Sequence, residues 1–233
     1  MTRFDSPADR CDAFCATPFG SFVEAVERQM VGELLEPLPG GRGADLGCGT
    51  GTYSLWMVDT GCAVVRVDGS EAMFVKARSK RPSTERITWI RADLAHLPCP
   101  SGSFDSWLMQ VIVEFVDDPN AALRKALRTI KPGGHLVLGL IQGTARWARH
   151  YRERAHGNPS AFLDLAELRT VMGMEPARVR QGLFVGPDEF RTAEPAWDLE
   201  FQRRGSRSLA DAGFLAVRYD NLPAAAGEPD TPS

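Results

Sequence analysis

The sequence predicts an α/β fold, a doubly wound, mostly parallel sheet of seven strands with helices on both faces. Three observations carry that prediction. Apolar, β-branched runs alternate along the chain with segments of helical periodicity, the pattern that builds parallel sheets. The run at 43–46 passes into Gly47, Gly49 and Gly51, and then into a helical segment over 52–58. A second apolar run, from Ala63 to Val67, ends in Asp68. An acid at a strand end, about 20 residues beyond a glycine loop, is where doubly wound folds hydrogen-bond a ribose diol. The glycines remove Cβ atoms that would hold the backbone off a ligand, and they permit φ > 0 in a tight turn. The first N–H groups of the helix over 52–58 face the loop with the positive end of the dipole, so an anionic ligand group belongs there. A dinucleotide is disfavoured, because its fingerprint is G-x-G-x-x-G, whereas here G-x-G-x-G follows Asp45 and Leu46.

The elements follow in order. Residues 1–17 are polar, and a helical turn puts Cys11 and Cys15 on one face. No further ligands follow nearby, so these thiols read as small, half-buried residues. Ser21 to Glu24 has the S-x-x-E form of a capping box. Phe22, Val26, Met30 and Leu34 recur at helical spacing, predicting a helix over 21–36 that Pro37 and Pro39-Gly40-Gly41 end. Ser70 caps a helix buried through Met73, Phe74 and Ala77. The stretch 87–92, rich in β-branched and aromatic residues, reads as a third strand with Asp93 just past its end. A fourth strand follows at 105–111. Asn120 caps a helix carrying Leu123, Leu127 and Ile130, and Lys131 to Gly134 ends it with the Pro-Gly of a type II turn. The fifth strand runs over 135–141. Segment 143–155 reads as a helix with a cationic face, Arg146, Arg149, Arg152 and Arg154, and with Trp147 and Tyr151 four apart. Asp164 caps a helix reaching 172, a sixth strand covers 177–185, and 187–208 mixes helix and loop. A short helix over 209–213 precedes the seventh strand, 214–219. From Pro223 the chain is rich in Ala, Gly and Pro and reads as a disordered tail.

Asp45-Leu46-Gly47-Cys48-Gly49-Thr50-Gly51 resembles the first motif of class I S-adenosylmethionine-dependent methyltransferases. The resemblance continues in order. Ser70-Glu71-Ala72-Met73 and Ala92-Asp93-Leu94 are similar to the family's adenine-contacting stretches, and Leu97 to Asp105 resembles its L-P-x-x-x-x-S-F-D connection. Val113 to Pro119 is similar to L-E-H-V-x-D-P, except that Phe115 stands where histidine is common. Ile130-Lys131-Pro132-Gly133-Gly134 matches the L-x-x-I-K-P-G-G-x-L mark of the type 11 subgroup, which includes ubiquinone and menaquinone biosynthesis C-methyltransferases. The match runs over 43–141.

The resemblance implies a Rossmann-like enzyme whose last two strands pair antiparallel at the sheet edge, with S-adenosyl-L-methionine as cofactor. It implies a cofactor site of Asp45, Gly47, Cys48, Gly49, Gly51, Asp68, Gly69, Met73, Asp93, Leu94, Met109 and Gln110. The loop would hold the methionine part, with backbone carbonyls near Asp45 and Met109 or Gln110 taking its ammonium group. Asp68 would hold the ribose, and Met73, Asp93 and Leu94 the adenine. The family's acceptor site corresponds to residues 4–30 and 143–205. Phe14, Phe19, Phe22, Trp147, Tyr151, Phe162 and Phe190 there suggest a partly aromatic pocket for a small organic acceptor, and the arginines suit an acidic group on it. His150, Tyr151, Asp12 and Glu114 are candidate general bases; none forms a recognisable triad, and catalysis by proximity and desolvation alone fits equally well. The expected organisation is a helical cap over 1–40, a methyltransferase domain over 41–222 with a substrate insertion at 143–205, and a tail over 223–233.

Composition narrows the partners. A chain of 233 residues suits one domain. A net charge of −3 gives no electrostatic footprint for nucleic acid. No apolar run approaches the roughly 18 residues of a membrane span, and the first ten residues lack the apolar core of a signal peptide. The reading is a cytoplasmic monomer or homodimer with reduced thiols and no metal. Two alternatives stand beside the enzyme: a scaffold or sensor that binds the cofactor without turnover, and a metalloid methyltransferase using Cys11, Cys15, Cys62 and Cys99. The glycine spacing argues against a nicotinamide-dependent reductase. Met109-Gln110-Val111-Ile112, in place of an N-P-P-Y loop, argues against nucleic-acid or protein methylation.

Overall fold

The computed structural model describes residues 8–36, 39–80, 85–153, 162–208 and 211–221. The tail expected over 223–233, Arg154, and residues 209–210 of the short helix expected before the last strand lie outside them. The described chain forms one seven-stranded sheet: β1 (Arg42–Leu46), β2 (Ala63–Asp68), β3 (Ile87–Arg91), β4 (Phe104–Gln110), β5 (Ile130–Ile141), β6 (Arg178–Gly182) and β7 (Phe214–Asp220). Their order is β3-β2-β1-β4-β5-β7-β6. The first five strands are parallel, and β7 lies antiparallel between β5 and β6. The order reverses at β1/β4, which places a topological switch point beside the glycine loop.

Alternation along each strand separates two cores. Trp107 and Met109 of β4, Leu136 and Leu138 of β5, and Leu215 and Val217 of β7 bury on one face with helices α5 (Pro119–Thr129) and α7 (Leu165–Met172). Leu108, Val137, Phe214 and Ala216 point to the other. There they meet α2 (Pro18–Leu35), α3 (Thr52–Asp59), α6 (Arg146–Glu153) and α8 (Ala193–Arg204). Helix α1 (Ala8–Cys15) packs against α2 and against α4 (Glu71–Lys80).

Local chemistry sets the boundaries, in places differently from the sequence reading. Helix α2 begins three residues earlier than expected, because Thr17 accepts the Gly20 N–H at 3.0 Å and Pro18 fills the first turn. Ser21 therefore lies inside the helix. Asp118 rather than Asn120 caps α5, accepting the Ala121 N–H at 2.9 Å, again with proline next in sequence. Asp164 forms a full capping box with Glu167. Lys131 to Gly134 does not simply separate helix from strand: β5 already starts at Ile130, and the turn, with Gly133 at φ 82°, is a bulge within it. Strand β6 is shorter than the run expected over 177–185, stopping at Gly182 before Leu183 at φ 56°. Among the described residues no helix is long and apolar enough to cross a membrane.

Candidate active site

The parallel strands bring the sequence-selected residues to one edge of the sheet. The glycine loop follows β1, Asp68 ends β2, Asp93 follows β3 and Gln110 ends β4. The loop is pinned to its neighbour: the Val67 carbonyl accepts the N–H groups of Gly47 (2.7 Å) and Cys48 (3.1 Å). Asp68 continues the brace, its Oδ2 accepting the Gly49 N–H at 2.9 Å and its Oδ1 the Ser70 N–H at 2.8 Å. A carboxylate has about four lone-pair sites, so acceptor capacity remains. Burial raises the Asp68 pKa, against the pull of these N–H groups.

The three loop glycines are all left-handed, at φ 67°, 49° and 83°, but they serve different ends. A Cβ on Gly47 would strike Ile112 at 2.2 Å, and one on Gly51 would come within 3.0 Å of the Arg66 guanidinium. A Cβ on Gly49 would meet only Met73 Sδ, at 3.9 Å. Gly47 and Gly51 thus answer to packing, while Gly49 borders open space. Gly69 is similarly open, with the Ala92 carbonyl 3.7 Å from a built Cβ.

Beneath the loop the Asp45 carboxylate is buried and accepts the Ser54 hydroxyl. Burial pushes its pKa up to about 6, opposed by that bond and by Arg66. Asp45 therefore turns its side chain into the protein. Arg66 is fully buried, donates to the Gly51 carbonyl at 3.4 Å and lies 4.7 Å over Trp89. The Cys48 thiol is also buried, with a pKa well above the usual thiol range through burial. Met73, Leu94 and Met109 are buried; Asp93 is exposed and hydrogen-bonded to His96 at 3.2 Å.

The four candidate bases are not equivalent. Asp12 is held by Lys80 (2.6 Å) and by the Thr50 hydroxyl (2.8 Å), tying α1 across the loop to α4. Tyr151 packs near Trp147 and Phe162, and burial followed by Glu27 and Glu114 holds its pKa above the usual range. His150 lies on the same helix, edge-on to Tyr151. Glu114 is 1% exposed; its Oε1 accepts the Ile141 N–H at 2.7 Å, and burial pushes its pKa up to about 7.

A residue absent from the sequence-selected set joins them. Glu27 on α2 accepts the Gln110 Nε2–H at 2.9 Å, and burial drives its pKa up to about 8, with Glu114 and Glu24 adding to the rise. Its signal was visible in the sequence: Glu27 sits four residues after Val23 and three before Met30, beside the buried stripe of its helix, where it is half-buried. Next to Gln110, Val111 takes φ 45°, unusual for a β-branched residue and of the kind that collects at functional sites. Two of the three described α6 arginines that would suit an acidic group on the acceptor have partners within the protein. Arg146 pairs with Glu189, Arg152 donates to the Gly143 carbonyl and lies over Phe162, and Arg149 is exposed. Among the described residues no group of three or more His, Cys, Asp and Glu is placed to hold a metal ion. Cys62 donates to the Gly41 carbonyl at the far end of β2, so the thiols do not gather with it.

A parallel sheet with an open glycine loop at its switch point and an acid on the next strand tip defines an α/β enzyme of the nucleotide-cofactor kind. The model of a methyltransferase domain matches residues 44–138. The demethylmenaquinone methyltransferase of Renibacterium salmoninarum is 32% identical over 208 residues, covering 84% of this chain and 75% of that protein. That of Paenarthrobacter aurescens is 28% identical, covering 84% and 70%. A Thermotoga maritima structure described as a possible histamine N-methyltransferase superposes with a TM-score of 0.73 at 26% identity, covering 94% and 97%. The chain belongs to the class I S-adenosylmethionine-dependent methyltransferases. It is an enzyme that takes its methyl group from S-adenosylmethionine.

Proposed function

We propose that the acceptor is a small organic molecule bound between the glycine loop and the aromatic groups of α2 and α6, with the cofactor lying along the ends of β1, β2 and β3. The observation that carries this reading is the open space at Gly49, bordered by Met73 and braced by Asp68. When bound, the cofactor supplies a methyl group on a sulfonium, already joined to a good leaving group. The chain's own part is to bind, orient and exclude water. Asp68 offers its remaining lone pairs to the ribose diol, Met73 and Leu94 a surface for the adenine, and Asp93 an acceptor for its amino group. Gly51 caps α3 without a side-chain bond, leaving that helix's first N–H groups for the carboxylate of the methionine part. Backbone carbonyls near Asp45 and Gln110 take its ammonium group. Helices α1 and α2 of the cap, and α6 to α8 of the insertion, enclose the acceptor, in support of which Phe19 of α2 stacks on Trp147 of α6 at 5.6 Å. We read the protein as a cytoplasmic monomer or homodimer.

The test is transfer of a labelled methyl group from S-adenosylmethionine into a fractionated cell extract, with cofactor binding measured separately by calorimetry. Label in the small-molecule fraction is the expected result. Label confined to protein or nucleic acid would overturn the acceptor class. Binding without any transfer to the extract would favour the scaffold reading.

A further inference from the structure

We propose that the methyl acceptor carries a cationic amine, held by Glu27 and Glu114 against the aromatic rings of α2 and α6. The proposal rests on the small-molecule reading above and names the chemistry of that acceptor.

Glu27 and Glu114 come from separate parts of the chain, and at the switch point Glu27 lies in the field of Glu114. Glu27 reaches from α2 to the last residue of β4 through its 2.9 Å bond with Gln110, and Glu114 stands on the single turn that follows. The strained Val111 lies between Gln110 and that turn. Two buried polar atoms here, Glu114 Oε2 and the Tyr53 hydroxyl, have no hydrogen-bond partner among the described residues; Gln110 Oε1, also without one, lies against Gly139. Once ionised, Glu114 Oε2 can only accept, so the ionised site asks for a donor. Neither glutamate has a lysine or arginine partner among the described residues.

The charges that face this place agree. Tyr53 lies in the field of Glu27, Glu24, Arg28 and Asp45, and Tyr151 in that of Glu27, Glu114 and Cys15. Among these described groups the carboxylates outnumber the cations. An anionic acceptor would be repelled, and a neutral one would leave the acids to hold their protons. An ammonium group supplies both the donors and the charge. Phe19 and Tyr151, both partly exposed and packed on the buried Trp147, add aromatic faces of the kind that attract cations.

The chemistry balances. The bound ammonium gives one proton to a glutamate carboxylate, which frees the nitrogen lone pair. That pair forms the new N–C bond while the C–S bonding electrons stay with sulfur, which becomes neutral. The positive charge ends on the methylated nitrogen. A carboxylate with a pKa raised by burial toward neutrality is suited to take that proton.

The test uses the full chain saturated with S-adenosylhomocysteine. Calorimetry measures binding of 2-phenylethylamine and 3-phenylpropylamine, each beside its alcohol and carboxylate of matched shape. Each amine should bind about tenfold or more tighter than its alcohol, with the carboxylate weakest, and should release protons, as read from buffers of different ionisation enthalpy. Glu27→Gln and Glu114→Gln should each remove most of that preference and leave S-adenosylhomocysteine affinity within a few-fold, roughly, of the parent. If Glu114→Gln does not fold, Glu27→Gln carries the test, because its carboxylate holds no backbone group. No amine preference in a protein that binds S-adenosylhomocysteine overturns the proposal alone. So does loss of S-adenosylhomocysteine affinity in Glu27→Gln with the amine preference intact, which would assign the acids to the cofactor's own ammonium. Failure of S-adenosylhomocysteine to bind the parent removes the underlying reading and the proposal together.

Discussion

Replacing Gly47 and Gly49 by alanine, one at a time, should damage different properties of the enzyme. Both positions are left-handed, so each alanine costs about 1–2 kcal/mol of backbone strain. At Gly49 the new methyl finds only Met73 Sδ at 3.9 Å, so strain is the whole effect on stability. For a chain of this size that is a loss of roughly 2–8 °C in Tm. At Gly47 the methyl lies 2.2 Å from Ile112 Cγ1 and 2.8 Å from its Cβ, too deep for a rotamer change to relieve. Overpacking adds about 1–3 kcal/mol, for a total loss of roughly 4–20 °C. Cofactor affinity should follow the opposite order. Gly49→Ala places its methyl in the open space and should weaken S-adenosylhomocysteine binding by about tenfold or more, or about 1.4 kcal/mol. Gly47→Ala, measured well below its melting point, should bind more nearly like the parent. Thermal unfolding and calorimetry on the two variants decide the matter. A folded Gly49→Ala protein with parental affinity would refute the assignment of this space to the cofactor.

Asp68→Ala should lose stability as well as cofactor affinity, because the Gly49 and Ser70 N–H groups lose their acceptor, at about 1–3 kcal/mol each. Asp68→Asn keeps one acceptor oxygen and should melt above Asp68→Ala while still binding the cofactor weakly; equal melting points would show that the brace contributes nothing. Glu27 and Glu114 have folded pKa values raised to about 8 and about 7 from 4.5, so their contribution to stability is present below about pH 4.5 and is lost as pH rises through 7 and 8. The ligand-free protein should therefore lose Tm between pH 5 and 8.5 by this route, and Glu27→Gln should flatten the slope; an unchanged slope in that variant would contradict the assignment. Trp147→Ala removes a side chain 2% exposed whose Nε1 donates to the Val185 carbonyl at 3.0 Å, and should cost about 3–5 kcal/mol in denaturant unfolding. Thr17→Ala should cost about 1 kcal/mol and Ser21→Ala much less, since only Thr17 caps α2.

What could be read from the sequence was chemistry confined to a few neighbouring residues. The glycine loop, Ser70 before α4, and the Asp164/Glu167 box each act across three or four positions, and the strands announce themselves by β-branched runs. Capping competition was harder. Ser21 has the right partner at Glu24, yet Thr17 prevails because Pro18 sets the helical φ one turn earlier. The bulge in β5 depends on pairing with β4, which no local pattern encodes. The site divided along the same line. Asp68 could be placed beside the loop from its position at a strand end, whereas the Glu27–Gln110 contact joins residues 83 positions apart and exists only once α2 packs on the sheet. The partners of two α6 arginines, Glu189 for Arg146 and the Gly143 carbonyl for Arg152, come from loops with no periodicity to place them.

The tie between Asp12, Thr50 and Lys80 gives the surrounding medium a hold on the traffic of ligands. Its Lys80 and Asp12 side chains are 27% and 25% exposed. Dissolved ions therefore reach them, and at 1 M salt the screening length shrinks to about 3 Å. Concentrated salt should loosen α1 from the glycine loop while the buried sheet beneath is unaffected. Exchange of the spent cofactor would then quicken with ionic strength, at rates a stopped-flow trace can follow, even where the equilibrium affinity hardly moves.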